Sequence, residues 1–564
     1  MLFIFLSHII ITVVSLCTGF LFYETLSMRK PTNFATRPIV FYLISGLIFT
    51  TTLFQLVVLF APINLITQSI ALCILCLLLY LKRKPFSRFV AHVFAKLSNL
   101  PSLFFFSFGC IWLLLVFLNA GPTLMDDTES YHIQMIKWIK EYGTVPGLVH
   151  MHERFGFNSS WFTSIALFIP SSGNLNYYTT LNGVLSLWLS GYVINTITSK
   201  HALNLKLSAS LLVVLVICSI SWPLLRGNVS TSNYDYITLL IIFVLFTESF
   251  KQETQLKIFP LLPEWFIWSA YLFTVRITNF PILFLGLFAV VLMYRRRENK
   301  LIIACCIFTL FLVLPFLARN VILTGYAFYP SMYFDWFSVD WKANKETTME
   351  LLRFIKYYNR VSTGFVPLES TASMGLGEWP KSWFKYMFSY DKIIFIPGII
   401  GILTGYTIIR KIKPFDNYLA RVFILIIIFQ IFCWFVIAPD PRFVYGCLLI
   451  GILLLSYFFI AITKVEIKHS WPSLGLLILS LALAGFAIFK IKSTSQLNFW
   501  TPFLLPQPPT KIITIDNTAI HVPEKILNNW NPRCYSTELP CAYEVDPRVR
   551  KRGTNIKSGF RLKD

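Results

Sequence analysis

The chain has 564 residues, 56% of them hydrophobic and only 13% charged, with a formal net charge of +22. Its apolar residues gather into uninterrupted runs long enough to cross a bilayer, which excludes a water-soluble globular protein and makes this an integral membrane protein. In that setting the excess of Lys and Arg reports orientation across the membrane rather than affinity for nucleic acid, and no Walker loop, dinucleotide fingerprint or paired-Cys zinc spacing points to nucleotide-driven chemistry.

In chain order, apolar runs centre on 2–24, 38–60, 62–81, 102–120, 176–198, 204–225, 236–250, 258–275, 278–294, 300–318, 392–409, 419–438, 443–463 and 471–489. That makes about 14 predicted spans by length, with Arg276 and Asn279 interrupting what is otherwise one long stretch. The first run lacks a basic start and a small-residue cleavage site, so it reads as a retained span rather than a signal peptide. Cations crowd four connections: Arg29, Lys30 and Arg37; Lys82, Arg83, Lys84, Arg88 and Lys96; Arg295, Arg296 and Arg297; and Arg410, Lys411, Lys413 and Arg421. By the positive-inside rule these face the cytoplasm, which puts both termini and the connections 121–175, 226–235, 319–391 and 438–442 outside. The expected fold is an all-α polytopic bundle in five parts: an N-terminal bundle with its basic linker (1–101), a core carrying the outer loop 121–175 (102–318), an outer insertion (319–391), C-terminal helices (392–489) and an extracytoplasmic tail (490–564). Within the tail, 511–516 alternates like a strand.

Directly after the run ending near Ala120 comes Met-Asp-Asp-Thr-Glu-Ser-Tyr-His at 125–132. Three carboxylates at the lip of a membrane are costly unless water or a cation relieves them. Asp127 or Thr128 capping a helix accounts for one of them. The helix itself follows from Tyr131, Met135, Trp138, Ile139 and Tyr142 at spacings of three and four, with Lys137, Lys140 and Glu141 opposite. That pattern lays it flat on the outer membrane surface, ended by Gly143 and turned by Pro146 and Gly147. The remaining acids suit a general base that takes a proton from an acceptor hydroxyl or amine.

An acidic pair just outside a span, a Tyr shortly after it, a juxtamembrane helix and a closing Gly and Pro resemble the first external loop of the GT-C superfamily of membrane glycosyltransferases. The finer pattern, from Asp126, Asp127, Tyr131 and His132 through Pro146, Gly147, Leu148, His152, Arg154 and the run Phe-Gly-Phe-Asn-Ser-Ser-Trp ending at Trp161, is similar to a bacterial branch of that superfamily. So are Ala438-Pro-Asp-Pro-Arg-Phe443 and, in the tail, Cys541, Arg552, Gly553, Gly559 and Phe560. The acidic pair here follows the fourth run, whereas the superfamily usually places it after the first. The resemblance implies a GT-C-like bundle with outer-face amphipathic helices. It also implies inverting transfer of a sugar from a polyprenyl-phosphate donor to a lipid, glycan or protein acceptor, at the outer face of the bacterial inner membrane. Asp126 or Asp127 would be the base or would orient the acceptor, and Glu129, Tyr131, His132, His152, Arg154, Asp235, Arg319 and Arg442 would bind substrate.

A phosphate-bearing donor needs cations beside it, and Arg154, Arg226, Arg276, Arg319, Lys381 and Arg442 lie at or near outer span ends. Taken singly, each also reads as a snorkelling side chain or as a local partner of Asp440 or Asp335. His132, His150 and His152 share the loop with Glu153; His-x-His is a candidate chelate for a divalent metal with Asp126, Asp127 or Glu129 as third ligand, or else hydrogen-bonds substrate. The insertion's Tyr326, Tyr329, Tyr333, Trp336, Trp341, Trp379 and Trp383, interleaved with Asp335, Asp340, Lys342 and Lys345, read either as an interfacial anchoring belt or as a lid hinged at Gly375 and Gly377. Ser232, Asn233, Tyr234 and Asp235 form a further polar cluster. Cys534 and Cys541 are either a disulfide in an oxidising compartment or half of a metal site. The rival functions are a transporter or flippase, which wants midplane charges and broken helices in matching halves, a polysaccharide polymerase or ligase, and an assembly factor without enzymatic activity.

Overall fold

The computed structural model describes residues 1–26, 37–170, 174–199, 205–221, 223–251, 261–361, 367–411, 418–463, 466–468, 470–494, 498–524 and 533–563. Arg29, Lys30 and Lys413, three of the cations used to assign sidedness, lie outside the described residues. Among those described, nine helices are long and apolar enough to cross a bilayer: Leu2–Leu26, Ile39–Phe60, Ser102–Ala120, Ile277–Arg295, Asn299–Thr324, Ser389–Arg410, Leu419–Ile437, Pro441–Ile462 and Ser470–Ser493.

The difference from the fourteen predicted runs has a physical reason. Asp235–Lys251 and Leu262–Val275 are short and almost wholly buried. Thr180–Thr198 is nearly as enclosed and carries many polar residues. These helices are covered by protein instead of lipid, so their length is not set by bilayer thickness. The 62–81 run becomes Leu65–Leu81, which has no buried residue and bends by 93° into Arg83–Ser98. Rows such as Ile303, Ile307, Leu310 and Leu314 on Asn299–Thr324 remain exposed, as a lipid-facing surface requires.

Small residues set the closest crossings. A Cβ on Gly46 would overlap the Ser15 carbonyl of the neighbouring helix, and one on Gly451 would overlap the Gly398 carbonyl. Such backbone approach supplies packing where lipid gives helices no hydrophobic reason to associate.

In the outer loop, the helix predicted after 131 exists as Ile133–Glu141, preceded by a π-helical turn at Thr128–His132. Its polar face is not free on a surface. Gln134 donates to the carbonyls of Tyr535 and Thr537, both at 3.0 Å, and Lys137 donates to Ser536 and Thr537 at 3.0 and 2.7 Å. The helix is therefore sandwiched between the bundle and the tail, and the expectation of a helix lying exposed at the interface is corrected. Its end follows the prediction, with Gly143 and Gly147 both at positive φ, 81° and 65°.

The insertion begins later than 319, because Asn299–Thr324 carries Arg319 in its last turns and stops only at the left-handed Gly325. Of its aromatics, Trp379 and Trp383 are buried against Phe435 and Trp434, whereas Tyr333 and Trp336 are exposed. The Gly375 and Gly377 positions have open space around them.

The tail holds the described strands. Thr510–Ile515 pairs antiparallel with Thr518–Pro523. The turn residues Asp516 and Asn517 are both at positive φ, the geometry that Asx residues tolerate in tight hairpins. Val549–Lys551 pairs with Phe560–Leu562. The tail locks onto the outer loop where Phe560 N donates to Pro146 O at 2.9 Å. A Cβ on Gly559 or Gly147 would overlap the opposite backbone there, and Arg552 adds a 2.9 Å ion pair to Asp340 of the insertion.

Candidate functional site

The acidic stretch lies where Ser102–Ala120 has ended and the chain turns into the bundle. Helix capping does not account for any of its acids: Asp127 already has helical dihedrals and makes no side-chain cap bond, and Thr128 Oγ1 faces His132 Nδ1 at 3.4 Å. Instead Asp127 lies between two arginines, with Arg442 NH2 at 2.9 Å and Arg154 NH1 at 3.3 Å. Arg442 continues the chain of charges through Nε, 2.9 Å from Asp440 and 4.0 Å from Asp235, and Asp235 in turn pairs with Arg276 at 3.0 Å. Arg276 stacks over the Phe443 ring at 3.3 Å. A second knot forms on the tail, where Arg533 pairs with Asp126 at 2.7 Å and also with Glu129.

Several sequence elements thus meet at one point. The π-helical turn presents Asp127 and Glu129, the loop after His152 presents Arg154, the start of Asp235–Lys251 presents Asp235, and the short turn Pro441–Val444 aims Arg442 back across the bundle. That last turn begins with Asp440, whose carboxylate caps the Arg442 backbone N–H at 3.1 Å. Extra residues in a π-turn re-aim side chains that a regular helix would point elsewhere.

Burial opposes ionisation of Asp127, but the Arg442 and Arg154 guanidiniums outweigh it and hold the carboxyl at about 2. Burial pushes Glu129 above the ordinary glutamate value, an effect that Arg533 only partly offsets. Burial drives the His132 imidazole down to about 3 even beside Asp127, so it is neutral at pH 7.

Of the residues singled out from sequence, Asp126, Asp127, Glu129, Arg154, Asp235 and Arg442 come together, with Arg276. Tyr131 and His132 adjoin them: Arg154 lies 5.6 Å over the Tyr131 ring, and His132 packs between Phe162 and Tyr234. Arg319 does not join the ion-pair chain; its NH1 donates to Asn158 at 2.8 Å. Arg226 bonds the Pro122 carbonyl at 2.8 Å, and Lys381 is exposed.

The His-x-His chelate is not formed. His150 Nε2 meets the Trp341 carbonyl at 3.1 Å, while His152 Nδ1 accepts the Arg154 N–H at 3.1 Å beside Glu153. Among the described residues no three His, Cys, Asp or Glu side chains converge to hold a metal ion. Cys534 and Cys541 are joined in a disulfide, which excludes a metal half-site at this pair.

Beside the acidic knot is a cavity of about 720 Å³ that includes Ser130 and Arg154 among its walls. The loop around His150, the start of the Lys345–Val361 helix and the tail around Tyr543 enclose it. Tyr543 also donates to Glu153 at 3.0 Å. Sequence reasoning missed Arg533 and Tyr543 as parts of this region, whereas Asp440, expected as a local partner for Arg442, is one, at 2.9 Å. For Arg533 the available clue was a cation next to a cysteine in a tail that docks on acids.

The helical bundle and its ion-paired site define a polytopic all-α membrane protein with carboxylates and arginines interlocked where its helices end. Residues 1–449 match the family described as a domain of unknown function, DUF8201, and the chain belongs to that family. No curated protein and no solved structure matches the chain.

Proposed function

We propose that this protein is a glycosyltransferase of the GT-C kind, moving a sugar from a polyprenyl-phosphate donor to a lipid, glycan or protein acceptor at the outer face of the bacterial inner membrane. The observation that carries this reading is Asp127, held between Arg442 and Arg154 on the loop after an apolar helix and next to a cavity.

Arg154, Arg276 and Arg442, three of the arginines suggested by sequence as phosphate ligands, are already occupied by the chain's own carboxylates, so a donor phosphate has to compete for them. Phosphate pairing with Arg442 and Arg154 would loosen Asp127 and raise its pKa from about 2 toward the range where a carboxylate is an effective base. The acceptor oxygen would then attack the anomeric carbon from the face opposite the phosphate. The acceptor proton goes to Asp127, and the carbon–oxygen bond to phosphate breaks with its electron pair leaving on the phosphate. No metal ion is built into this scheme. Asp126 and Glu129, tied to Arg533, position the turn.

The test is complementation of a deletion strain, read by mass spectrometry of the envelope glycans. A glycan feature restored by the wild-type gene and not by D126N/D127N supports the reading. Full restoration by the double variant, with normal membrane levels, overturns it.

A further inference from the structure

The cavity walled in part by Arg154, the partner of Asp127, has a chemistry of its own. Among the described residues its charged walls are Glu153, Glu350, Glu544 and Asp546 against the guanidinium of Arg154; that guanidinium already faces Asp127, and Asp546 is itself paired with Arg548 at 2.7 Å. Burial pushes the imidazoles of His150 and His152 below the usual histidine value, so neither adds positive charge at pH 7. The cavity therefore carries a negative field, which disfavours phosphates, sulfates and uronates.

The rest of the lining is amphipathic on a small scale. Tyr329, Phe354 and Tyr543 supply ring faces, and Asn344, Thr347 and Thr348 supply groups that both donate and accept hydrogen bonds. His152 also lines the cavity, is only 5% exposed, and its Nε2 is buried without a hydrogen-bond partner. The volume falls within the roughly 300–1,000 Å³ range of small-molecule sites.

We infer that this cavity binds a saccharide bearing no acidic group, with the C-terminal tail forming one selective wall through Tyr543, Glu544 and Asp546. Aromatic surface and two-way hydrogen-bonding groups match the C–H faces and hydroxyls of a pyranose, and the excess of carboxylates over cations in the lining rejects anionic sugars. The selective wall lies beyond residues 1–449, the part of the chain that the family match covers. As an assignment of the acceptor, this rests on the glycosyltransferase reading; as a binding site, it stands without it.

The experiment is a glycan array probed with the full-length protein in detergent, comparing neutral, amino, uronate, sialylated and sulfated glycans. Binding should be confined to glycans without acidic groups. It should fall at least tenfold in Thr347→Trp, which fills the cavity from an exposed helix position. In Glu350→Lys/Glu544→Lys, two rim positions, binding of acidic glycans should rise at least tenfold. Equal binding of acidic and neutral glycans by the unaltered protein, no glycan binding at all, or unchanged binding in Thr347→Trp overturns the inference. Glycan binding with no product in the complementation assay would sink the transferase reading alone, whereas product formation with undiminished turnover in Thr347→Trp would sink the cavity assignment alone.

Discussion

Replacing Arg442 by Gln should destabilise the protein more than replacing any one of the acids it serves. Arg442 contacts Asp127 and Asp440 at 2.9 Å and Asp235 at 4.0 Å, with its side chain 28% exposed and that of Asp127 22% exposed. Holding the Asp127 carboxyl at about 2 against its ordinary 3.8 is worth about 2–3 kcal/mol at ~1.36 kcal/mol per pKa unit. Arg154 supplies part of that, so R442Q forfeits about 1–2 kcal/mol at Asp127. The less well paired Asp235 and Asp440 bring the loss to about 3 kcal/mol, at the lower end of what breaking a buried pair costs. D127N leaves Arg442 with Asp440 and should cost about 2 kcal/mol. In D127N/R442Q one stranded carboxylate disappears, so the two losses should not add, with a coupling of about 1–2 kcal/mol. Reversible unfolding in mixed micelles of SDS and a mild detergent measures all four corners of the cycle. Additivity within about 0.5 kcal/mol would refute the argument that Asp127 and Arg442 depend on each other.

The same pair sets a pH response: because the folded Asp127 carboxyl is depressed, its contribution is complete above about pH 4 and disappears as pH falls through about 2. An unfolding titration should show that loss in the wild type and not in D127N. Gly451→Val places a side chain into the Gly398 backbone and should abolish accumulation of folded protein in membranes, while Gly485→Ala, with open space around it, should behave as wild type. Cys541→Ser opens the loop that closes at Cys534 and should cost about 2–3 kcal/mol in the same unfolding assay. Gly559→Ala, at φ +93° against the Pro146 carbonyl, should detach the tail and make the last residues sensitive to protease without removing the protein from the membrane.

The acidic stretch was legible because charge at a membrane edge is expensive, so Asp126, Asp127 and Glu129 had to have a reason to be there. Arg154, Asp235 and Arg442 were legible for the same reason. What they do to one another was not, since local spacing offers Asp127 a helix cap and says nothing of an arginine 315 residues away. The helix at Ile133–Glu141 was readable from its period, but a polar face covered by the carbonyls of 535–537 looks the same in sequence as one covered by water. The run count and the helix lengths part company where protein covers the helix: an apolar row buried by protein, as in Leu262–Val275, is written in the same residues as one buried by lipid. The strand at 510–515 was visible because alternation is local, although the turn at Asp516 and Asn517 that follows it was not read.

Glu129 and Arg533 stand 404 residues apart in the chain. At a synthesis rate of roughly 5–20 residues per second, Asp126 and Glu129 emerge some 20–80 s before their cation exists. For that interval they have to be kept in water, because no bilayer tolerates them unpaired. The nascent protein is thus obliged to leave its outer loop undocked while the later helices insert, and the site closes as one of the last events of biogenesis. A site assembled in that order is incomplete until translation is nearly finished.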